Sequence, residues 1–243
     1  MLKKIGLIGK NISYSFSRDF FNQKFKTEGI TDLTYHNCDI DSINEVVNFL
    51  NDNQFLGFNV TIPYKEQIIP YLDQLDVHAQ AIGAVNTIKK VNDTYIGYNT
   101  DWIGFTQTLH PYLPLKQSKA LVLGTGGASK AVIYALTQLG IETVTVSRFP
   151  KNNQINYKDI TSEILSQCQL IINTTPLGTF PNIEECPPIP YHLLTANHMV
   201  YDLIYNPAQT LFLTKAQEMN AKTINGYQML VNQALESWQI WNN

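Results

Sequence analysis

The sequence predicts an α/β protein of two domains, and three observations carry that expectation. Short apolar runs alternate with segments whose apolar residues recur at helical spacing. The alternation restarts once, after a stretch bearing Pro111, Pro114 and Gln117-Ser118. The first strand of the restart runs straight into a glycine turn, Gly124-Thr125-Gly126-Gly127-Ala128, and then a helix. Strands alternating with helices form largely parallel sheets. The expected layout is a first domain over 1–101, a connecting helix and linker over 102–117, a second domain over 118–225, and a final helix over 226–243 that returns to the first domain.

Each element has its own signal. Ile5 to Gly9 is a short apolar strand, and Ser17 to Phe25 places Phe20, Phe21 and Phe25 on one helical face. Leu33 to Asp39 reads as a strand. Asp41 is the expected cap of a helix with Ile43, Val46, Val47 and Leu50 on one face. Phe55 to Val60 is a strand, and Pro63 suits a helix start after it. Ala84 to Val91 and Tyr95 to Tyr98 read as a hairpin around Asn92-Asp93. In the second half, Lys119 to Leu123 is a buried strand, and Ala128 to Leu139 a helix ended by Gly140. Glu142 to Ser147, Leu170 to Asn173 and Met199 to Leu203 read as strands, and Gln228 to Trp241 as helix.

Composition excludes several classes. The net charge of −3 argues against a nucleic-acid binder. No apolar run approaches the roughly 20 residues of a membrane span, and the N-terminus reads as a first strand, not a signal peptide. Cys38, Cys168 and Cys186 are odd in number and far apart, which fits reduced thiols in a cytoplasm. The five histidines form no ligand pair at helical spacing, so no metal is expected. Only Arg18 and Arg148 among 17 basic residues are arginine, the side chain whose planar fork suits carboxylate and phosphate.

The strand–turn–helix at Gly124, Gly126 and Gly127 is a dinucleotide site by its physics. Backbone N–H groups and the positive helix end face phosphate, and glycine lets the pyrophosphate come close. Ala128 lies in the same turn, and Ser129 holds the usual third glycine position. The end of the next strand selects the cofactor: an acid there would hold the ribose hydroxyl of NAD, an arginine the 2′-phosphate of NADP. The sequence offers Ser147, Arg148 and, three residues on, Lys151, and no acid. NADP is the expected cofactor. A surface arginine at a strand end, or one stacked on adenine, is the competing reading of Arg148.

Four further motifs stand in order. Gly9-Lys10-Asn11-Ile12-Ser13-Tyr14-Ser15-Phe16-Ser17 follows the first strand; Asn59-Val60-Thr61-Ile62-Pro63-Tyr64-Lys65-Glu66 follows a later one. Gly83-Ala84-Val85-Asn86-Thr87 and Asn99-Thr100-Asp101 come next. Taken alone, Lys65 would be a solvated surface lysine; the accompanying asparagines and Asp101 reverse that. Together with the glycine turn, this order resembles the shikimate dehydrogenase family, nearly end to end. The resemblance implies two α/β domains: a substrate domain with a mostly parallel sheet and a Rossmann-like NADP domain, with a cleft between them. It implies that Lys65 and Asp101 form the catalytic pair, that Asn86 and Asp101 bind ring hydroxyls beside Thr61, and that Ser15 and Ser17 bind the substrate carboxylate. Asn11, Tyr14 and Arg18 depart from the family's usual proline, histidine and proline in that loop, and Arg18 offers the carboxylate a charged partner.

The second half matches as well. Asn173-Thr174-Thr175-Pro176-Leu177-Gly178 resembles the loop over the cofactor, which assigns Thr174 and Thr175 to it. Tyr201-Asp202-Leu203-Ile204-Tyr205-Asn206-Pro207 resembles the segment that lends a tyrosine, here Tyr205, to the substrate, with Leu203 toward the cofactor. In Gly226-Tyr227-Gln228-Met229-Leu230-Val231-Asn232-Gln233, the resemblance puts Gly226 near the nicotinamide and Gln233 near the substrate. The expected activity is reversible NADPH-dependent reduction of 3-dehydroshikimate by a cytoplasmic monomer or homodimer with a small-molecule substrate. Three alternatives stay open. One is a quinate/shikimate dehydrogenase that uses NAD. Another is a non-catalytic sensor of NADP and a ring acid, against which the Lys65–Asp101 pair argues. The last is a folate-linked dehydrogenase, which would leave the paired serines unexplained.

Overall fold

The computed structural model describes residues 2–13, 15–113 and 119–243. Tyr14 of the serine loop, and Pro114, Gln117 and Ser118 of the expected boundary, lie outside them. By their internal contacts the residues form two units, Met1–Thr100 with Ala234–Asn243, and Asp101–Gln233.

The first unit runs β1 (Lys3–Gly9), α1 (Phe16–Thr27), β2 (Leu33–Asp39), α2 (Val46–Leu50), β3 (Phe55–Val60), β4 (Gln74–Leu75), α3 (Val77–Ile82), β5 (Thr87–Val91) and β6 (Thr94–Tyr98). Its sheet has the order β2-β1-β3-β5-β6-β4. β1 is parallel to β2 and β3, and β4 to β6, while β5 is antiparallel to both β3 and β6. The carboxyl ends of β1, β3 and β6 and the amino end of β5 therefore lie at the same end of the sheet. Apolar side chains cover both faces. Ile8, Phe58, Val60, Ile68 and Ile88 pack on one; Ile5, Leu7, Phe21 and Phe25 meet Ala234, Trp238 and Trp241 of the last helix on the other.

The second unit runs α4 (Asp101–Leu109), β7 (Ala120–Leu123), α5 (Gly127–Gln138), β8 (Thr143–Val146), α6 (Ser162–Gln167), β9 (Leu170–Asn173), β10 (Met199–Asp202), α7 (Leu211–Glu218), β11 (Lys222–Ile224) and the start of α8 (Tyr227–Asn242). Its five strands are all parallel, in the order β11-β10-β9-β7-β8. Neighbouring residues of β7 feed opposite cores, Leu121 and Leu123 one and Ala120 and Val122 the other, so both faces are covered. This is a Rossmann-like sheet. Gly140, at φ +70°, ends α5 by giving its N–H to Thr137. The helix expected to connect the domains, α4, belongs to the second unit by its contacts, and the division at the other end falls inside α8, after Gln233.

Two local expectations are corrected. Asp41 caps no helix. Ser42 does, because Ser42 and Glu45 form a capping box: the Ser42 hydroxyl accepts from Asn44 N–H and Glu45 Oε1 accepts from Ser42 N–H at 2.8 Å. Asp41 instead pairs with Lys10 at 3.2 Å, and Val47 faces outward. Pro63 starts no helix either. The Lys65 carbonyl, which a helix would give to Ile69, accepts from Val85 N–H at 2.7 Å, and Ile69 N–H turns to Glu66. Tertiary pairing thus overrides the local start signal.

Candidate active site

In the first unit the expected residues gather at the sheet end where β1, β3 and β6 finish. Thr61 follows β3 directly, its N–H bonded to Ile8 of β1 at 2.9 Å. The Tyr64 hydroxyl donates to the Ile40 carbonyl at 2.9 Å, which fixes the turn that carries half-buried Lys65. The bond from Val85 N–H to the Lys65 carbonyl ties that turn to the residue before Asn86. Asn99 reaches Ala84 from the end of β6, its Nδ2 donating to the carbonyl at 2.9 Å. Thr61, Lys65, Asn86 and Thr100 are thus brought together by backbone pairing and by the Tyr64 and Asn99 side chains.

Beneath them lies a buried polar cluster. The Asn86 carbonyl can only accept, so Asn59 turns its amide nitrogen to it, at 3.1 Å. That leaves Asn59 Oδ1 to accept from the Tyr35 hydroxyl, at 2.7 Å. Asn59 Nδ2 also reaches Ser237 Oγ at 3.0 Å, and Ser237 meets Thr87 Oγ1 at 2.7 Å and Thr100 Oγ1 at 3.2 Å. Asn86 is held at both ends of its amide: Oδ1 accepts from Thr100 N–H at 2.6 Å and Nδ2 donates to Thr100 Oγ1 at 2.9 Å. Ser17 stands beside the Tyr35 phenol, whose pKa burial pushes well above its ordinary value.

The serine loop is held from below. Asp39 accepts from the N–H groups of Asn11 and Ile12, at 2.8 and 3.1 Å, and Asn37 Nδ2 donates to the Ile12 carbonyl at 2.7 Å. Ser15 is the N-cap of α1 and its hydroxyl makes no capping bond, while Ser17 lies in the first turn. Two hydroxyls at a helix start suit an anion, since the first N–H groups of a helix have no partner within the helix itself. Arg18 turns to Asp19, Nε to Oδ1 at 3.2 Å.

The second unit holds the remaining expected residues. Asp101 is buried at the start of α4, directly after Thr100 in the chain. Gln233 packs on the same helix: a Cβ built at Gly104 would stand 3.0 Å from Gln233 N. Gln233 is buried and its Nε2 donates to the Leu230 carbonyl at 2.8 Å; Tyr205 is half-buried in the loop after β10.

The glycine turn forms as expected. Gly124 sits at φ +115°, where a Cβ would lie 2.6 Å from Thr174 Oγ1, so both conformation and space require glycine. At Gly126, the N-cap of α5, a Cβ would meet nothing within 4 Å; Gly127 and Ala128 open the helix. That room at the start of a 12-residue helix fits a pyrophosphate. Ser129 Oγ donates to the Gly124 carbonyl at 2.8 Å, so the residue in the third glycine position braces the turn. Thr174 Oγ1 donates to the Leu123 carbonyl at 2.6 Å, and Thr175 Oγ1 to Asn173 Oδ1 at 2.6 Å. Gly226 lies so close to Leu203 that no side chain fits between them. Ser147 follows β8 beside the turn, since Gly124 N–H bonds to Val146 at 2.9 Å; Arg148 and Lys151 beyond it are exposed.

Sequence reasoning missed Tyr35, Asn59, Thr87 and Ser237 as a cluster, and Asp202 with Thr210. The available signal was polarity in buried positions: Asn59 inside an apolar strand and Ser237 inside an aromatic helix face must find partners. Among the described residues no group of three or more His, Cys, Asp or Glu could hold a metal ion, and no helix is long and apolar enough to cross a membrane.

The chain is similar to known proteins over nearly its whole length. Residues 7–88 match the shikimate dehydrogenase substrate binding domain. The chain is 40% identical over 246 residues to a shikimate dehydrogenase (NADP(+)) of Clostridium botulinum, covering 97% of this chain and 95% of that one. A shikimate dehydrogenase structure from Aquifex aeolicus superposes with a TM-score of 0.89 at 35% identity, covering 99% of this chain and 92% of the other. A shikimate 5-dehydrogenase from Thermus thermophilus, in complex with NADP(H) and shikimate, gives 0.87 at 29% identity over 99% and 93% of the two chains. The chain belongs to the shikimate dehydrogenase family, whose fold is a substrate domain and a Rossmann-like domain.

Proposed function

We propose that this chain reversibly reduces 3-dehydroshikimate to shikimate with NADPH, a step of aromatic amino-acid synthesis. The observation that carries the reading is the gathering of Thr61, Lys65, Asn86 and Thr100 at one sheet end, with Asp101 next in the chain. Oxidising a secondary alcohol requires hydride to leave carbon and a proton to leave oxygen. Lys65 accepts that proton and, in reduction, gives it to the forming alkoxide. Asp101 orients the alcohol and balances the ammonium. Asn86 and Thr61 hold ring hydroxyls, joined by Tyr205 and Gln233. Ser15 and Ser17 hold the carboxylate at the start of α1.

Gly124, Gly126, Gly127 and Ala128 would receive the pyrophosphate of NADP. Ser147, Arg148 and Lys151 would take its 2′-phosphate, and Thr174, Thr175, Leu203 and Gly226 its nicotinamide end. When bound, the nicotinamide supplies or takes the hydride. The free thiols Cys38, Cys168 and Cys186 fit a reducing cytoplasm. The enzyme would work there as a monomer or homodimer.

The test follows the absorbance of reduced cofactor with shikimate and then quinate, each with NADP and NAD. Turnover of shikimate with NADP at least tenfold above the other three combinations is expected. Equal use of quinate and NAD would replace this reading with a quinate/shikimate dehydrogenase, and cofactor binding without turnover would replace it with a sensor.

A further inference from the structure

The second unit contains a buried carboxylate that the proposed reaction leaves unused. Asp202 ends β10 and is fully buried. Its Oδ1 accepts from Asn173 Nδ2 at 3.0 Å and from Ile204 N–H at 3.1 Å, and its Oδ2 accepts from Thr210 Oγ1 at 2.6 Å. All three neighbours donate to it. Aspartate is the side chain of this size that accepts on both terminal atoms; asparagine would turn an NH₂ toward one of the donors.

The bond to Asn173 has a consequence. A carboxylate can only accept, so it selects the NH₂ end of the Asn173 amide. The other end, Oδ1, is thereby aimed at Thr175, accepting from its N–H at 3.0 Å and from its Oγ1 at 2.6 Å. On the other side, Ile204 is fixed by Asp202 through its N–H and holds Gly226 N–H through its carbonyl at 3.0 Å. Leu203 N–H meanwhile bonds to the Asn173 carbonyl at 3.0 Å.

We propose that Asp202 is a positioning residue that sets two cofactor-facing loops at once, Thr174–Leu177 through Asn173 and Leu203–Tyr205 through Ile204. The proposal rests on the reading that these loops meet the nicotinamide end of NADP. Burial pushes the Asp202 carboxyl up to about 6, so its ionised form is disfavoured where it stands. The bonds from Thr210, Ile204 and Asn173 act the other way and favour the carboxylate.

The test measures binding of NADPH by the fluorescence of the bound reduced cofactor, with near-UV circular dichroism as the check on folding. Asp202→Asn should keep the native spectrum and raise the NADPH Kd about five- to fiftyfold. Asn173→Ala, which cuts the arm to Thr175, should raise it similarly. The double variant should fall short of the product of the two, because both cut the arm through Asn173 to Thr175 while Asp202→Asn alone also frees Ile204. An unchanged Kd in folded Asp202→Asn overturns the proposal, as does a double variant equal to that product. If Asp202→Asn does not fold, an unchanged Kd in Asn173→Ala overturns it alone. Failure of the wild type to bind NADPH would instead sink the proposed function.

Discussion

The two units present their candidate residues in different ways. In the first, the groups assigned to substrate are side chains held by other side chains. Asn86 is bonded at both ends of its amide, and Asn59, Thr87 and Ser237 beneath it are all buried. In the second, the groups proposed for the pyrophosphate are backbone, a glycine turn and a helix start, and two exposed basic side chains stand beyond a strand end. A ring bearing several hydroxyls demands many directed bonds, and these need preorganised side chains. A pyrophosphate demands N–H groups and close approach, which glycine supplies. The contrast says where each kind of substitution should act.

The largest expected effect lies in the locked half. Lys65→Ala should fold, because its turn is fixed by the Tyr64 hydroxyl and by backbone bonds that alanine keeps. It should bind NADPH, yet lose about 10²- to 10⁴-fold in kcat, the usual contribution of a proton-transfer group. Stopped assays with shikimate and NADP measure it. A kcat near that of the wild type would remove Lys65 from the chemistry.

The next effect belongs to the second unit's exception to the contrast, Asp202, a locked side chain among backbone. Its carboxyl titrates near 6 when folded against an ordinary 3.8. The folded protein therefore keeps this proton to higher pH than the unfolded chain does. The associated stability is fully present below pH about 4 and is lost as pH rises through about 6. A rise of that size corresponds to about 3 kcal/mol. Urea titrations of wild type and Asp202→Asn from pH 4 to 7.5 isolate the term, since other carboxylates cancel in the difference. The difference should move toward the variant by up to that amount; parallel curves would show that the carboxyl is not raised.

The exposed basic residues provide a smaller and salt-sensitive effect. Arg148→Ala should raise KM for NADP over KM for NAD by about 2–3 kcal/mol, roughly thirty- to more than a hundredfold. Added salt should narrow the wild-type preference, because Arg148 is exposed. A preference that survives Arg148→Ala intact would assign cofactor choice elsewhere, with Ser147 and Lys151 the next residues to change.

How much of this was legible in the sequence follows the same division. Backbone features were readable, because they depend on local rules: the turn at Gly124, the helix end at Gly140 and the hairpin at Asn92 all appear where their residue types place them. The turn carrying Lys65 was not read correctly. Its Pro63 signal is local, while the bond that decides against a helix comes from Val85, 20 positions on. The cap at Ser42 was legible in principle, since Glu45 completes the capping box, and was displaced by the neighbouring Asp41. The members of the buried cluster could be flagged by their polarity, but not which of them would pair. Ser237 is 178 positions from Asn59, and no periodicity in a helix announces which strand its hydroxyl will meet.

Ser237 offers the finest test of the locked half, and its expected effect is the smallest. Its hydroxyl joins Asn59, Thr87 and Thr100, and Thr100 in turn holds both ends of the Asn86 amide. Ser237→Ala leaves the helix intact, since alanine is a better helix former than serine. It removes one hydroxyl and leaves Thr87 and Asn59 each short of a partner in a buried place. Both keep other partners, so the loss should stay near the worth of a hydrogen bond, about 0.5–1.5 kcal/mol, read from urea titration. The same loosening passes through Thr100 to Asn86, so KM for shikimate should rise about three- to tenfold. KM for NADP should stay unchanged, because the residues proposed to hold NADP belong to the other unit. An equal rise in both KM values would mean that the variant merely softens the protein. Lost stability with both KM values unchanged would reduce the cluster to packing, and the contrast between a side-chain half and a backbone half would no longer describe function.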